Sequence, residues 1–372
     1  MTHSFRWLSL PAVALSPVLG VGLVLALALG IAPTASSAPP TGRPDLTADR
    51  ESDYISSRWL YGELERHRIT NIEFGFDDWG LTIDTYLAHV ATNLRPVVNQ
   101  RVIDTISDHA DVYVQFDGDY FAGAVAKLLL ARRVAGLGAY VRSADLNLRG
   151  QLVSMIAPSG RVKDTGTDDF SSTISQSLAV LALARSGRVP QPVVDYLGSQ
   201  QCTKGWFRQS LAPRNCREAG SDPHVDSTAL AAQALIAARR DGAQLTNKSV
   251  VRVRRWLRDS QRDNGSYPEV SGAQSNSNST GLAGQALAAL GADNRAERAG
   301  AWVRGLQLTR AKADMGPARD EVGAIAPTRA LLRRALDEGI TAETRDVWRR
   351  STPQAQFAVR PISLVDLAAA AT

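Results

Sequence analysis

The chain has 372 residues, 44% of them hydrophobic and 21% charged, which is ordinary for a globular protein and leaves room for two average domains or one large one. A net charge of +5 is mild for this length, and Arg, which supplies all but five of the 42 basic residues, is spread throughout, so the charge gives no sign of a nucleic-acid partner. Only 6% of residues are aromatic while Ala and Leu abound, a composition that favours helix over strand.

At the N-terminus Arg6 precedes an almost wholly apolar run, Trp7 to Ile31, broken by Pro11, Ser16 and Pro17. Ala35, Ser36, Ser37 and Ala38 come next, then Pro39 and Pro40. This order matches a secretory signal over residues 1–37, cut after Ala35 or Ser37. The run is also long enough to span a bilayer, so an uncleaved anchor is the alternative, and the only membrane contact expected. Either way the rest is secreted or extracytoplasmic. Residues 38–52, rich in Pro, Ser and Thr, read as a flexible leader, and 53–372 as a single domain.

Helix starts then recur along that domain. Asp78 begins the first, with Leu87 nine residues on, and Asp119 begins the next, with Leu128. Asp169 opens DFSSTISQSLAVL, Asp226 opens DSTALAAQALIAA and Asn278 opens NSTGLAGQALAAL, these three sharing Ser or Thr at +2, Gln at +7 and Leu at +9. Glu321, in EVGAIAP, begins the sixth. The intervals of 41, 50, 57, 52 and 43 residues fit one helix pair joined by unequal loops. Helices after these starts are apolar nearly all round, hence buried, whereas the segments between are amphipathic with Arg-rich outer faces. Pro353 and the stretch to Leu367 supply a closing segment. Gln176, Gln233 and Gln285 are expected to tie neighbouring helices together.

A second signature precedes two of the starts. Tyr196, Gln201, Gly205 and Phe207 are spaced as Trp256, Gln261, Gly265 and Tyr267; a third copy has Trp302 and Gln307 but no matching Gly-x-aromatic. The Gly suits a helix end, where a left-handed residue satisfies the last carbonyls. Cys202 and Cys216, the only cysteines, are expected to pair in an exported chain; a zinc site with His224 or Asp226 is the alternative. The stripe Arg252, Arg255, Arg258 and Arg262 reads as a solvated face, with weak contact to an anionic cell-wall polymer as the alternative. Sequons at Asn247, Asn264 and Asn278 matter only in a host that glycosylates.

The Gln-x-x-x-Gly-x-aromatic copies, with Asp/Asn-x-Thr opening the next helix, resemble the repeats of the terpenoid cyclase and protein prenyltransferase superfamily. The resemblance implies an all-α (α/α)6 toroid of inner and outer helices, a fold shared by cyclases, prenyltransferase subunits and secreted cobalamin carriers. It is sharp over residues 169–307. Cyclases of the protonating kind carry Asp-x-Asp-Asp, whose middle carboxyl must be held protonated. FDDW at Asp77–Asp78, TDDF at Asp168–Asp169 and DGD at Asp117–Asp119 approach that pattern without completing it. Neither cysteine has the Asp two residues before it that a prenyltransferase zinc site requires, so no metal or cofactor is evident.

Equivalent helix starts lie at one end of a toroid, which puts Asp78, Asp119, Asp169, Asp226, Asn278 and Glu321 around one rim. Such residues are preferred N-caps, and their first reading is structural. Trp79, Tyr120 and Phe170 come directly after caps, and Trp206, Phe207 and Tyr267 precede them; they either line an aromatic mouth or plug the barrel end. The sequence therefore leads to a binding protein that holds a small molecule or extended chain. The alternatives are a terpenoid-cyclase-like or prenyltransferase-like enzyme with Asp78 or Asp169 as candidate acid and, further off, a glycan-cleaving enzyme with paired carboxylates.

Overall fold

The computed structural model describes residues 46–212, 215–216 and 222–368, the side chains of 46–49 excepted. All lie in one compact unit, Gly42–Thr372; the expected secretion signal and anchor lie outside the described residues. In chain order the helices are α1 (Leu46–Gly62), α2 (Trp79–Thr92), α3 (Pro96–Asp108), α4 (Ala110–Val114), α5 (Ala122–Val134), α6 (Leu148–Ser154), α7 (Thr173–Arg185) and α8 (Gln191–Ser199). They continue with α9 (Val225–Arg240), α10 (Asn247–Ser260), α11 (Ser277–Ala289), α12 (Asp293–Leu306), α13 (Arg310–Ala313), α14 (Arg329–Glu338) and α15 (Ala342–Val359). Two short hairpins, Gln115–Phe116 with Asp119–Tyr120 and Tyr140–Val141 with Leu146–Asn147, interrupt them.

Each of α2, α5, α7, α9, α11 and α15 packs on the next, and α15 returns to α2, closing a ring of six inner helices. Outer helices α1, α3, α6, α8, α10 and α12 alternate with them in the chain. This is the expected (α/α)6 toroid. The inner helices are Ala- and Leu-rich, and their cores, such as Ala179 to Leu183 on α7 and Ala231, Ala232, Ala234 and Leu235 on α9, are fully buried. Among the described residues no helix is long and apolar enough to cross a membrane.

One polar joint repeats around the ring. A Thr hydroxyl of an inner helix, in the first turn of α2, α9 and α11 and midway along α15, accepts the N–H of the preceding loop and donates to the carbonyl four residues back. Thr82 accepts from Ile69 (3.0 Å), Thr228 from Phe207 (2.9 Å), Thr280 from Tyr267 (3.0 Å) and Thr352 from Ile325 (3.0 Å). The loop Gln then ties outward: Gln201 donates to the Gly205 and Ser249 carbonyls, and Gln261 to those of Gly265 and Arg295. Gly265, at φ 91°, presses its α-carbon against the Arg298 carbonyl so closely that a Cβ would overlap it; Gly205 meets Arg252 in the same way. The expectation that these glycines end helices is thus corrected: they let a loop touch the next outer helix.

The joint also corrects the register of the sixth unit. Gly323-x-Ile325 is the missing partner of Gln307, displaced by an insertion that carries α13 and a 3-10 turn, Arg319–Glu321. Glu321 therefore begins no inner helix; that helix is α15, after α14. Pro353 lies within α15, and the closing segment begins only after that helix ends. There Leu364 N–H donates to Gln233, Gln285 donates to the Ile362 carbonyl, and Arg185 donates to the Leu364, Val365 and Leu367 carbonyls. Gln176 instead takes over the joint of its own repeat, accepting from Val162 and donating to the Gly160 and Val193 carbonyls.

Ring closure falls to α1 and α15. Gln307 donates to the Ser52 carbonyl (2.8 Å) and Ser56 hydroxyl (2.6 Å), and Gln356 to Asp53 Oδ1 (2.9 Å) and Ser57 (2.8 Å). These bonds anchor α1, which starts at Leu46, inside the stretch expected to be leader. Glu63 accepts from Arg345 and Arg349, each at 2.6 Å, and Arg345 also pairs with Glu321, which accepts from the Trp59 indole. Cys202 and Cys216 form the expected disulfide, which rules out the zinc alternative. Arg252 and Arg262 bond to Gln201 and to Ser275 within the fold, so the arginine stripe is not uniformly solvated.

Gly265→Ala should lower stability by at least about 2 kcal/mol, from left-handed strain plus overlap. Arg349→Ala should cost about 3 kcal/mol by removing one partner of a buried carboxylate. Denaturant unfolding of each variant against wild type measures both.

Candidate functional site

The mouth of the ring is set by how the inner helices start. Side-chain caps come from Asp78 on α2, Ser172 on α7, His224 on α9 and Asn276 on α11. Phe121 precedes α5 without a side-chain cap, and Asp164 substitutes, its carboxylate accepting the Ala122 N–H at 2.7 Å. Two residues past each of these cap positions, and two before Thr352 within α15, stand Gly80, Gly123, Ile174, Asp226, Asn278 and Arg350. One turn further stand Asp84, Lys127, Leu178, Leu230, Leu282 and Gln354. On helices otherwise buried, nine of these twelve keep partial exposure, all except Asp226, Leu230 and Leu282. Outer helices sheath the opposite faces, so this register looks into the ring.

Its wall has two characters. On α2, α5 and α15 it is polar: Lys127 pairs with Asp84 (2.7 Å) and donates to the Gly80 carbonyl (2.9 Å), while Arg350 pairs with Asp78 (3.0 Å). Asn278 of α11 donates to Gln354 at 3.0 Å. Across α7, α9 and α11 the same register carries Ile174, Leu178, Leu230 and Leu282, with one acid among them, Asp226.

Asp226 is 1% exposed, and its Oδ1 has no hydrogen-bond partner among the described residues. Burial pushes the carboxyl up to about 6; Glu269 adds to the rise, while His224 and the Ser279 hydroxyl oppose it. His224 is fixed on both sides: Nδ1 accepts the Ser227 N–H (3.2 Å), which leaves the ring proton on Nε2, 3.1 Å from Glu269. In the stretch His224-Val225-Asp226-Ser227 an Asp stands where the spacing Asp-x-Asp-Asp has its middle acid, with His and Ser at the other two acidic positions. A search for adjacent acidic pairs misses it; a search for the middle acid before Ser-Thr finds it.

Of the residues expected at a rim, the structure brings Asp78, Asp226 and Asn278 to the mouth. Only Asp78 is a cap; Asp226 and Asn278 lie inside the first turn. Asp119 and Tyr120 sit in a hairpin, two and one residues before the α5 cap position, with Asp119 exposed. Asp169 lies three residues before the Ser172 cap and pairs with Arg161 at 2.8 Å, so the helix start expected there is five residues out of register. Phe170 is exposed on the same loop. Trp79 is buried against His109, with ring centres 4.5 Å apart. Glu321 belongs to the ring-closing ion pairs. Phe207 and Tyr267 are fully buried in the repeat joints, the Tyr267 hydroxyl donating to the Leu257 carbonyl at 2.6 Å, and so line no mouth. Both candidate acids, Asp78 and Asp169, are paired with arginine, unlike Asp226.

No family model matches the sequence, and no curated protein matches it. Solved structures do match in fold. The type II terpene cyclase MstE from Scytonema, without ligand, aligns at TM-score 0.55 with 14% identity, covering 86% of this chain and all of the other. The same cyclase has been solved with its substrate, geranylgeranyl dihydroxybenzoate. An unsaturated glucuronyl hydrolase specific for heparin aligns at 0.54 with 12% identity, covering 87% and 99%. Another, from Bacillus sp. GL1, aligns at 0.52 with 12% identity, covering 83% and 95%. The chain therefore has the α/α-toroid fold of terpenoid cyclases, a fold that glucuronyl hydrolases also use, and at these identities the likeness reaches the fold alone.

Two buried groups give this region opposite pH dependences. His89 on α2 donates from Nε2 to the Ser57 carbonyl (3.1 Å); burial, with the charge of Arg95, lowers its pKa to about 4 against the pull of that bond. The folded state then binds fewer protons than the unfolded, so stability falls as pH drops from 6.5 towards 4, by about 3 kcal/mol. Asp226 works the other way: the folded state keeps its proton longer, so stability falls as pH rises from 3.8 to about 6. Asp226→Asn should therefore gain on wild type by ~1–3 kcal/mol between pH 4 and pH 7, and His89→Gln should flatten the acid limb. Urea unfolding across that range reads both; parallel curves would mean that neither group titrates on folding.

Proposed function

We propose that the protein is an enzyme that takes an unsaturated, largely apolar small molecule into the mouth of the ring and protonates it from Asp226. The observation that carries this reading is a carboxyl on the apolar side of the inward register, fully buried, with one oxygen unbonded among the described residues; that burial pushes its pKa up to about 6. A neutral carboxylic acid is what the middle Asp of Asp-x-Asp-Asp supplies, and a dry site strengthens it as a proton donor. The proton moves to one alkene carbon, the π electrons form the new C–H bond, and a carbocation is left facing the Asp226 carboxylate. The cation ends by losing a proton or taking up water, and Asp226 regains its proton from solvent. The cyclase from Scytonema sets the class of molecule to try first, an isoprenoid with a polar end.

Binding without turnover is the second reading. The Arg350–Asp78 and Asn278–Gln354 pairs opposite an apolar wall suit a molecule with one polar end, whether or not it reacts. Export of the mature chain remains part of either proposal.

Incubation with geranylgeranyl-bearing phenols and linear polyprenols, with products read by mass spectrometry, separates the two. Wild type should form cyclised or hydrated product, Asp226→Asn should lose at least about 100-fold in rate, and Asp169→Asn should stay near wild type. Saturable binding without product favours the carrier, and neither binding nor product rejects both.

A further inference from the structure

A depression of about 220 Å³ opens between the α10–α11 loop, α12 and the start of α14. Arg262, Asn264, Gln274, Ser275, Trp302 and Arg329 line it; no inner helix contributes, so it is separate from the mouth of the ring. We propose that it is a second binding site, for a single sugar-sized molecule bearing one oxyanion.

The charged groups of the lining are all donors. Arg262 is held in place by the Ser275 hydroxyl (2.9 Å) and the Ala273 carbonyl (2.7 Å), a cation fixed before any ligand arrives. Arg329, the first residue of α14, is exposed and has no ion pair or hydrogen bond among the described residues. The Asn264 oxygen already accepts from the Ser266 N–H and hydroxyl, leaving its amide N–H groups as what it can offer. The Gln274 amide and the indole N–H of Trp302 likewise have no partner among the described residues. No carboxylate lines the depression. Two guanidiniums without a counter-charge call for an anion, and their forked donors match carboxylate or phosphoryl oxygens. The amides and the indole suit the hydroxyl groups of a sugar. The volume, below the about 300–1,000 Å³ typical of drug-sized sites, admits one ring rather than a chain.

Titration calorimetry of the folded protein at low salt, with glucuronate, glucose 6-phosphate and glucose as probes, tests this. At least one anionic sugar should bind with one-to-one stoichiometry, about tenfold or more tighter than glucose. Which of the two binds identifies carboxylate or phosphoryl as the source of the oxyanion. Arg329→Gln, at an exposed position whose loss leaves the melting curve unchanged, should weaken that binding about tenfold, and Gln274→Ala should weaken it less. Failure of both anions to bind, equal binding of glucose, or full affinity in Arg329→Gln would overturn the proposal.

Discussion

The toroid depends on one joint with two halves: an inner-helix side chain that accepts a loop N–H, made five times, and an amide that returns the loop to the next outer helix, made four times. Thr82, Thr228, Thr280 and Thr352 make the first half, and Gln201, Gln261 and Gln307 the second, with Gln176 doing both in its repeat. Each joint buries polar groups completely and therefore has to satisfy them, which fixes its geometry within tenths of an ångström. The apolar helices on either side supply most of the stabilisation but are tolerant of sliding. The joint is what sets how far each inner helix begins from its neighbour.

That common register is also what creates a mouth. Because the joints align the inner helices, the residues two places before each joint position meet around one opening, and whatever chemistry the sequence puts there is concentrated. In this chain the ring is divided. Three helices contribute charges that pair among themselves, and the opposite side contributes leucine, isoleucine and one carboxyl. The same aspartate on the polar side would meet Arg350 or Lys127 and be an ordinary anion. On the apolar side burial outweighs the nearby His224 ring, and the group stays neutral to a higher pH.

Closure makes its own demand. A ring must join its first outer helix to its last inner one across most of the chain length, and here Glu63, Arg345, Arg349 and Glu321 meet across more than 250 residues. Glu321 marks the recurring interval in the sequence because it sits near the displaced Gly-x-Ile of the sixth joint. Its role is to hold the ends together.

The repeat itself was legible in the sequence. Gln-x-x-x-Gly-x-aromatic and Asn-x-Thr are local patterns, and each residue type is dictated by a contact made in every copy. Buried helices, outer amphipathic helices and the paired cysteines came from composition and periodicity for the same reason. The exact register of the degenerate copies was not legible. Asp119, Asp169 and Glu321 satisfy the spacing by chance, since any polar residue near a helix start looks like a cap. Ser172 and Asp164 hold the starts of α7 and α5 through partners 3 and 42 residues away, and the sixth inner helix is registered by Thr352, midway along it, through Ile325. Nor can a sequence show that Asp78 and Asp169 pair with arginine while Asp226 has no arginine partner among the described residues, because each partner arrives from another part of the fold. The sequence by itself determined the ring. Tertiary structure alone decided which of its acids is dry, since desolvation is a property of what surrounds a group.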